Sequence, residues 1–477
     1  MNILFVSAEV APLIKTGGLA DVAGALPAAL RRLGHDVRIA MPRYRRLREQ
    51  NIATSGPIAA GFLPVGERQE ELRIFQTMIG ETPVYLLDIP AAFERDAIYG
   101  EADDDRRFIL FARGAMSLLQ HLREVDGWQP AVLHANDWHA GLTINYLKTF
   151  YRYTFGNIAT VFTIHNLAYQ GQFGAGTLAL AGLSDGGLLE RSAGFSDEFN
   201  FMARAIIFAD MITTVSPTYA QQILTPEYGE RLDGLLNNRR DSLVGILNGI
   251  DTAFFNPATD PHIPASYDAD DQAGKAICKA ALQRECGFAV DPAKPIVALV
   301  TRLAEQKGID LLDGAMPWLM NDTDAQLVLL GSPHPHWEWV FGNYARAYPG
   351  RVALHLRYDL ALAQRIYAGS DIFAMPSRFE PGGLGQLIGL RYGTVPVVRA
   401  TGGLADTVTE GFDGNGFCFH PYDAHYLIDT FGRAIAAFHR QQDWALLRAR
   451  GMREDHSWPS SAAAYVAVYE RAIAAIA

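Results

Sequence analysis

Cysteine is scarce in this sequence. Its three cysteines, Cys278, Cys286 and Cys418, are too few for a disulfide framework and too widely spaced for the paired ligands of a zinc motif. We expect three thiols that are buried or inert, in a protein of a reducing compartment.

Positive charge is also in short supply. The 41 lysines and arginines are outnumbered by 52 aspartates and glutamates, which gives a formal net charge of −11. Because nucleic acids are bound mainly through basic surfaces, we do not expect a nucleic-acid partner. A site for an anionic substrate would have to concentrate its cations locally.

Long apolar runs are missing as well. No run reaches the roughly 18 to 20 residues of a membrane helix, and Met1 leads directly into the apolar segment 3–6 without the features of a secretion signal. We therefore expect no membrane segment and a cytoplasmic location. The hydrophobic share of 49% is typical of a globular enzyme, and 477 residues predict at least two domains.

Short β-branched runs alternate with segments of helical period, which predicts parallel sheets covered by helices. The predicted strands are 2–7, 36–41, 83–87, 131–134, 158–163, 295–301, 326–331, 352–356, 371–375 and 395–398. Residues 257–271 are rich in Pro, Asp and Ala and predict a surface connection. The expected fold class is α/β, with two doubly wound Rossmann-like domains that face each other. Ligands would bind beyond the carboxyl ends of the strands, in the cleft between the domains.

A glycine-rich segment follows the first predicted strand. Lys15-Thr16-Gly17-Gly18 directly precedes a predicted helix, where backbone amides and the helix dipole can hold a phosphate. The spacing matches neither a Walker loop nor a Gly-x-Gly-x-x-Gly fingerprint, so an ordinary tight turn is the competing interpretation. The Lys15 ammonium favours an anion site, and the missing fingerprint argues against a dinucleotide oxidoreductase.

Charged residues also follow two strands of the second half. Arg302 and Lys307 come after the first of them and suit a diphosphate, although solvated surface charges are the commoner fate of such residues. Glu380 precedes Gly382-Gly383-Leu384-Gly385 after a later strand. It could hold a sugar hydroxyl while the amides that follow bind phosphate, or it could only complement a helix dipole.

Polar and aromatic side chains cluster after two strands of the first half. Their spacing does not match zinc patterns, so we expect no metal site. Carboxylate, amide and imidazole groups exchange hydrogen bonds with sugar hydroxyls, and aromatic rings offer flat apolar faces, which favours a carbohydrate site. A Ser/His/Asp triad stays open, although no Gly-x-Ser-x-Gly elbow is present. The clustered residues are His134, Asp137, Trp138, His139, His165, Asn166 and Tyr169.

Together these segments resemble the bacterial glycogen synthases and plant starch synthases over almost the whole chain. The family consists of retaining GT-B glycosyltransferases, and the resemblance implies transfer of glucose from ADP-glucose to the non-reducing end of an α-1,4-glucan such as glycogen. No metal or other cofactor is implied. The segments that carry the resemblance are KTGGLADV at 15–22, HANDWH at 134–139, TIHNLAYQG at 163–171, TVSP at 214–217, LNGID at 247–251, RL at 302–303, QKG at 306–308, SRFEP at 377–381 and TGGLADT at 401–407.

The resemblance also implies a role for individual residues. The residues implied to be catalytic are Lys15, His165, Arg302, Lys307 and Glu380. Those implied to contact the donor are Gly17, Gly18, Asp21, Asn248, Gly249, Tyr358, Gly382, Gly383, Leu384 and Gly385. Those implied to face the acceptor are Asp137, Trp138, Asn166 and Tyr169.

The same resemblance suggests a division into domains. Residues 1–245 would form the acceptor-side domain and 246–455 the nucleotide-sugar-binding domain, while a C-terminal helix in 456–477 would pack back on the first. A GT-B transferase with another acceptor, and a sugar-nucleotide binding protein without turnover, are the alternatives.

The sequence departs from the family pattern at a few positions. Gly382 stands where the family usually has Cys, Gly385 where it often has Thr or Asn, and the turn 331–334 and residues 203–204 differ too. We expect these departures to affect donor affinity more than the type of reaction.

Overall fold

The computed structural model describes residues 1–50, 52–183, 198–332 and 334–477, so Pro333 of the unusual turn lies outside the described residues. The chain divides into two compact units. Met1–Asn248 and Trp458–Ala477 form the first, and Gly249–Ser457 forms the second. Each unit has hydrophobic core clusters of its own.

The first unit contains a mixed nine-stranded sheet and a small two-stranded one. The order in the large sheet is β11-β10-β7-β6-β1-β2-β5-β4-β3, and its strands are parallel from β11 to β5. The strands are β1 Asn2–Val6, β2 Asp36–Pro42, β3 Ser55–Val65, β4 Arg68–Ile79, β5 Thr82–Asp88, β6 Val132–Asn136, β7 Ala159–Ile164, β8 Gln172–Gly174, β9 Glu198–Asn200, β10 Met211–Thr214 and β11 Leu243–Gly245.

The five strands predicted in the first half are confirmed as β1, β2, β5, β6 and β7. The sequence analysis missed the antiparallel strands β3 and β4, which join at a turn containing Gly66 with φ of 56° and extend the sheet beyond β5. This addition makes the sheet mixed rather than wholly parallel.

Helices cover both faces of the parallel part, which is why a strand such as β1 is apolar and buried along nearly its whole length. The described helices of this unit are Gly18–Arg32, Arg45–Glu49, Pro90–Phe93, Asp104–Val125, Asp137–Lys148, Arg152–Phe155, Gly176–Leu180, Phe201–Phe208, Pro217–Gln222, Asp233–Asn238 and Trp458–Ala474, with a 3₁₀ turn at Arg240–Ser242. Within the described ranges, no helix has both the length and the apolar content needed to cross a bilayer.

The last helix, Trp458–Ala474, packs against Gly18–Arg32 and against β7. Its Tyr469 hydroxyl lies 2.8 Å from Nδ1 of His134, whose Nε2 lies 2.6 Å from the Thr163 hydroxyl. His134 is fully buried, and burial lowers its pKa to about 3. This histidine therefore belongs to the core and not to the polar cluster in which the sequence placed it.

The second unit is built on a six-stranded parallel sheet of order β14-β13-β12-β15-β16-β17. Its five predicted strands are confirmed. They are β12 Ile296–Arg302, β13 Gln326–Ser332, β14 Val352–Leu356, β15 Ile372–Met375 and β16 Val395–Arg399, to which the structure adds β17 Phe417–Phe419. The described helices are Ala273–Glu285, Ile309–Asn321, Pro335–Ala347, Leu360–Gly369, Gly385–Arg391, Gly402–Thr407, Ala424–Phe438 and Gln441–Arg453, with a 3₁₀ turn at Glu305–Lys307.

Alternate residues of these strands enter different cores. Val297 and Leu299 belong to one apolar cluster, whereas Ile296 and Ala298 belong to another. Successive side chains of a strand point to opposite faces, so this sheet is buried on both sides. Such burial accounts for the continuous apolar runs from which the strands were predicted.

The segment 257–271 has no helix or strand, but the prediction that it is only a surface connection is wrong for part of it. The Tyr392 hydroxyl donates to buried Asp260 at 2.5 Å, and the buried Tyr267 hydroxyl donates to the Tyr392 carbonyl at 2.8 Å. These polar groups are satisfied inside the second unit, so the segment contributes to its core.

The three cysteines are free thiols. Cys278 is buried, and burial raises the pKa of Cys286 and of Cys418 to about 12. At neutral pH these two thiols are therefore protonated and poor nucleophiles.

In each unit the strand order reverses beside the first strand. This switch point lies between β1 and β6 in the first unit and between β12 and β15 in the second. In doubly wound sheets, ligands bind beyond the carboxyl ends of the strands at this point. The segments that follow these four strands are therefore the places to look for a site.

The contact between Tyr469 and His134 yields a test of how firmly the last helix is held. We expect Tyr469→Phe to lower the free energy of unfolding by about 1 to 3 kcal/mol, because one nitrogen of a buried imidazole loses its partner. Scanning calorimetry of the full chain measures this as a lower transition temperature. The control is Tyr426→Phe, since Tyr426 is 51% exposed and should change the free energy by less than about 0.5 kcal/mol. Equal transition temperatures in both variants would contradict the prediction.

Candidate active site

The segment after β1 is held by a buried carboxylate that the sequence analysis missed. Oε2 of Glu9, a side chain only 3% exposed, accepts hydrogen bonds from the amides of Thr16 and of Gly17, the latter at 3.2 Å. Its Oε1 accepts from the Tyr99 hydroxyl at 2.6 Å. Burial raises the pKa of Glu9 above its ordinary value, although these hydrogen bonds act in the opposite direction. Glu9 therefore fixes the backbone between Lys15 and the first helix.

The helix Gly18–Arg32 begins at the end of this segment, and Gly17 precedes it. A Cβ atom on Gly17 or Gly18 would meet no other atom within 4 Å. Both glycines thus leave open space in front of the first turn, where amides and the helix dipole favour an anion.

The ammonium of Lys15 lies beside this space. Its Nζ is 2.7 Å from Oδ1 of Asp21, and both side chains are about one-third exposed. Burial raises the pKa of Asp21, while the positive charge of Lys15 opposes that shift. The structure thus brings together the predicted residues Lys15, Gly17, Gly18 and Asp21.

The ends of β6 and β7 are joined through Asp137 and His165. Oδ1 of Asp137 accepts a hydrogen bond from the His165 amide at 2.8 Å, and His165 Nε2 lies 3.0 Å from Oδ1 of Asn136. The Asn136 amide nitrogen donates to the Val6 carbonyl at the end of β1. Asn136 therefore connects the ends of β1, β6 and β7. The sequence analysis missed this role because Asn136 is adjacent to a predicted strand and has no distinctive motif of its own.

The hydrogen bonds of Asn136 assign the tautomer of His165. Since Nδ2 of Asn136 is the donor to Val6, its Oδ1 accepts a hydrogen bond from the N–H group at His165 Nε2. Burial lowers the pKa of His165 to about 3, so the ring is neutral at pH 7. Its Nδ1 is then a lone-pair acceptor suited to a hydroxyl group.

Asp137 has an unusual conformation and an unusual acidity. Its φ of 54° is in the left-handed region, which few residues other than glycine adopt, although Asp and Asn tolerate it best. Burial raises its pKa to about 7, although the amides of His165 and Asn166 favour the charged form. A strained backbone and a shifted pKa at a strand end are typical of functional sites.

The residues expected to face an acceptor differ in exposure. Tyr169 is 55% exposed and presents a free ring, and Asn166 is partly exposed. Trp138 is 7% exposed, with its ring packed against Phe108. The expectation that the Trp138 ring offers an open flat face is therefore wrong, because apolar packing places it inside the first unit.

Asn248 is the last residue of the first unit. Its Oδ1 is buried and has no hydrogen-bond partner among the residues that the structure describes. Such an acceptor is costly unless something pairs with it. Gly249, which begins the second unit, is buried.

In the second unit, Lys307 and Glu380 form one cluster. Lys307 Nζ lies 2.6 Å from Oε2 of Glu380, which also accepts from the Ser377 hydroxyl at 3.1 Å. Glu380 is 6% exposed, so this carboxylate is paired and held in one position.

The loop after Glu380 rests on a pair of glycines. The Gly403 amide donates to the Glu380 carbonyl at 3.1 Å, and a Cβ on Gly403 would overlap the Gly382 carbonyl. Gln386 completes the support, because its amide nitrogen donates to the carbonyls of Gly382 and Gly383 at 3.2 Å each. Sequence analysis missed Gln386, since its partners are known only from the fold.

Four predicted residues of the donor side remain. Two of them lie in the loop after Glu380, and the other two are exposed. Gly383 has φ of 69°, which requires glycine, and Leu384 is partly exposed just before the helix Gly385–Arg391. The Arg302 side chain is exposed and makes no hydrogen bond or ion pair with any described residue. Tyr358 is 79% exposed, so its ring is available for stacking.

The predicted residues thus form two groups, one in each unit, at the carboxyl ends of strands on both sides of the switch points. Outside the three undescribed stretches, no group of three His, Cys, Asp or Glu side chains comes together as a metal site would require. The chemistry available at these strand ends is therefore that of cations, open amides and buried hydrogen-bonding groups.

Comparison with known proteins decides the family. Residues 2–238 match the family described as starch synthase catalytic domain, and residues 288–444 match glycosyl transferases group 1. A glycogen synthase of Moorella thermoacetica is 46% identical over 99% of this chain and 97% of its own. A glycogen synthase of Anaeromyxobacter dehalogenans is 47% identical over 98% of each chain.

The chain belongs to the glycogen and starch synthase family of glycosyltransferases. A solved structure agrees: the catalytic domain of starch synthase IV from Arabidopsis thaliana, bound to ADP and acarbose, superposes with a TM-score of 0.91. It is 35% identical, and the match covers 99% of each chain. The predicted GT-B fold and the predicted hexosyltransferase class are thereby confirmed.

The role of Glu9 leads to a prediction on the segment 15–18. We expect Glu9→Ala to speed hydrogen exchange of the Thr16 and Gly17 amides about tenfold or more, because both lose their acceptor. Mass spectrometry of peptides covering residues 12–18 measures the rate. Glu9→Gln keeps an acceptor of the same shape and should stay within about threefold of the wild type. Equal exchange in all three proteins would contradict the tethering role.

The raised pKa of Asp137 predicts a pH-dependent stability. Between about pH 4 and pH 7 the folded state holds a proton that the unfolded state has lost, so the free energy of unfolding falls as the pH rises through this range. Asp137→Asn cannot ionise, keeps an acceptor for the His165 amide and tolerates positive φ.

We therefore expect Asp137→Asn to raise the thermal midpoint by at least about 4 °C at pH 8, with little difference at pH 4. Calorimetry at both pH values measures the change. Stabilisation of the same size at both pH values would show that the Asp137 carboxyl has an ordinary pKa in the folded protein.

Proposed function

We propose that this chain transfers glucose from ADP-glucose to the non-reducing end of an α-1,4-glucan such as glycogen, with retention of the anomeric configuration. The observation that carries the proposal is the set of cations at the ends of β1 and β12 and the open helix start after β1, with buried hydrogen-bonding groups after β7 and β15. The Arabidopsis enzyme is bound to ADP and acarbose, which supports ADP-glucose as the donor and a glucan as the acceptor of this chain.

The donor diphosphate is assigned to Lys15, Arg302 and Lys307. Lys15 flanks the open space before the helix Gly18–Arg32. Arg302 is the last residue of β12, and Lys307 follows that strand. Charge develops on the leaving ADP as the bond to glucose breaks, and fixed cations and amides stabilise that charge without reorganisation. The positive charge in this proposal comes from side chains, so it includes no metal and no other cofactor.

The other donor contacts are assigned to the segments around these cations. The amides of Gly18, Gly383, Leu384 and Gly385 face phosphate oxygens, Gly17 lies next to Gly18 with its own amide bonded to Glu9, and Tyr358 stacks on adenine. Asp21, Asn248, Gly249 and Gly382 line the nucleotide. The unpaired acceptor of Asn248 supports this assignment, because a donor N–H or O–H of the ligand would satisfy it.

The transferred glucose is assigned to His165 and Glu380. The neutral imidazole accepts a sugar hydroxyl at Nδ1, since its Nε2 proton is committed to Asn136. Glu380 accepts further hydroxyls, and Lys307 and Ser377 keep its carboxylate in place. Both groups orient the sugar and do not attack it.

The acceptor glucan is assigned to Asp137, Asn166 and Tyr169. Tyr169 provides the exposed ring, and Asp137 and Asn166 provide hydrogen-bonding groups beside His165. Trp138 supports this surface from below through its packing in the first unit. The free, protonated thiols suit a cytoplasmic enzyme.

The direct test incubates the purified chain with ADP-glucose and glycogen, in the presence of EDTA, and measures released ADP and the glucose added to the glucan. UDP-glucose in a parallel reaction tests the choice of base. We expect turnover with ADP-glucose that EDTA does not reduce. Binding of ADP-glucose without turnover would show that the chain is a sugar-nucleotide binding protein and not a transferase. Turnover with UDP-glucose alone would show that ADP-glucose is not the donor.

Removing the cations should affect chemistry more than binding. We expect Lys15→Ala and Arg302→Ala each to lower kcat by about 100-fold or more, because the lost charge faces the leaving group. Steady-state kinetics with ADP-glucose separate kcat from KM. Arg284→Ala is the matched control, since Arg284 is exposed on the helix Ala273–Glu285, away from the strand ends. An increase in KM with kcat unchanged would mean that these cations only bind the donor and do not stabilise the transition state.

A further inference from the structure

A cavity of about 280 Å³ lies in the second unit, away from the proposed active site. It is bounded by the helices Ala273–Glu285 and Gln441–Arg453 and by Asp371, which immediately precedes β15. The cavity therefore lies at the amino ends of the strands, whereas Arg302, Lys307 and Glu380 follow the carboxyl ends.

Basic groups predominate in the lining of this cavity. Lys275, Lys279 and Arg448 contribute three basic side chains, against the single carboxylate of Asp371. That carboxylate is already paired, because Oδ2 of Asp371 lies 2.9 Å from Lys279 Nζ and accepts the Ile296 amide at 2.9 Å. The cavity thus has an excess of positive charge.

The two lysines are largely committed to the protein. Lys275 Nζ donates to the Tyr392 carbonyl at 2.8 Å, the Thr394 hydroxyl at 2.9 Å and the Ala368 carbonyl at 3.0 Å. Lys279 Nζ uses two of its three protons, on Asp371 and on the Pro292 carbonyl. The third proton of Lys279 has no hydrogen-bond acceptor in the part of the chain that the structure describes, and Nζ lies 4.5 Å from the centre of the Phe438 ring.

Three other polar atoms of the lining are buried and unpaired. Nε of Arg448, Nε1 of Trp444 and Oε1 of Gln272 have no hydrogen-bond partner among the described residues. Trp444 is 1% exposed. In folded proteins such groups are usually satisfied, and each one left unpaired costs about 1 to 3 kcal/mol. Two donors and one acceptor on residues that line the cavity are therefore without partners.

The acidity of Lys275 agrees with this surplus of cations. Burial lowers its pKa to about 7, and the charges of Arg448 and Lys279 act in the same direction. Burial also lowers the pKa of Arg448. An anion in the cavity would relieve both effects.

We propose that this cavity binds a phosphate group, either inorganic phosphate or a small phosphate monoester, with the Arg448 guanidinium and the Trp444 indole as its principal donors. The free proton of Lys279 completes the set. The cavity volume equals that of about nine water molecules. It is larger than the volume of a bare phosphate ion and lies near the lower limit of the volumes of small-molecule sites. The Gln272 oxygen provides an acceptor for a hydroxyl of an ester.

Isothermal titration of the full chain tests the proposal with two probes, inorganic phosphate and glycerol 3-phosphate. We expect saturable binding of both, and tighter binding of the ester if its hydroxyls reach Gln272. Arg448→Gln should weaken binding about tenfold or more, because a charge-assisted hydrogen bond is lost. Arg450→Gln is the matched control, since it removes the same charge from an exposed position of the same helix.

A second variant addresses the role of the indole. Trp444→Phe keeps an aromatic ring but removes the N–H group, and we expect it to weaken phosphate binding about fivefold. Because Trp444 is 1% exposed and the smaller ring leaves a cavity, the transition temperature of each free protein is measured alongside. Phosphate should raise that temperature in the wild type and in Arg450→Gln, but not in Arg448→Gln.

Two results would overturn the proposal. One is that neither probe shows saturable binding at concentrations up to about 10 mM. That concentration is on the order of the dissociation constant of the weakest single phosphate site. The other is binding that Arg302→Gln abolishes and Arg448→Gln leaves intact, which would place the phosphate at the proposed donor site.

Discussion

The hydrogen bond from the His165 amide to the Asp137 carboxylate determines much of the first unit's site. It connects the ends of β6 and β7, and to make it Asp137 adopts a left-handed backbone and a buried position. Burial in turn makes the carboxyl a weak acid. The same turn places the His165 ring against Asn136, which fixes the proton on Nε2. The contact thus links the two strand ends, whereas burial sets the acidity of Asp137 and the hydrogen bonds of Asn136 set the tautomer of His165.

The second unit positions its site by close contact between backbones. Gly402 and Gly403 lie so near the carbonyls of Glu380 and Gly382 that no Cβ fits on either, and Gly308 is packed in the same way against Pro376. The loop after β15 is thereby fixed from both sides. The segments TGGLADT at 401–407 and KTGGLADV at 15–22 are similar in sequence but differ in packing. The glycines at 402 and 403 lie against backbone carbonyls, whereas those at 17 and 18 leave open space.

Sequence predicted most of the strands, because buried parallel strands are continuous apolar runs. It also predicted the segments of the candidate site, because ligands of such sheets bind beyond the strand ends. It did not predict the partners that position these segments. Glu9 and Tyr99 are 90 residues apart, and nothing local distinguishes Glu9 from a surface carboxylate. Trp138 was misread for the converse reason, since an indole that packs in a core and one that binds a sugar have the same sequence signature. Strands β3 and β4 were missed because β3 contains Gly56, Pro57 and Gly61 and has the apolar Phe62 at an exposed position, so the alternation expected of a half-buried strand is lost.

The departures from the family pattern can be explained by packing. A Cβ on Gly385 would lie 2.9 Å from the Phe373 ring and 3.4 Å from the Met375 sulfur, so the space that Thr or Asn would need is filled by core side chains. Glycine at 385 is therefore matched to Phe373, and the backbone amide that begins the helix is retained. At Gly382, the carbonyl is held by Gln386 and the backbone rests on Gly403. The loop conformation thus depends on main-chain contacts that the side chain at 382 does not make. Loss of the usual Cys removes a thiol from the site but leaves the donors proposed for phosphate in place.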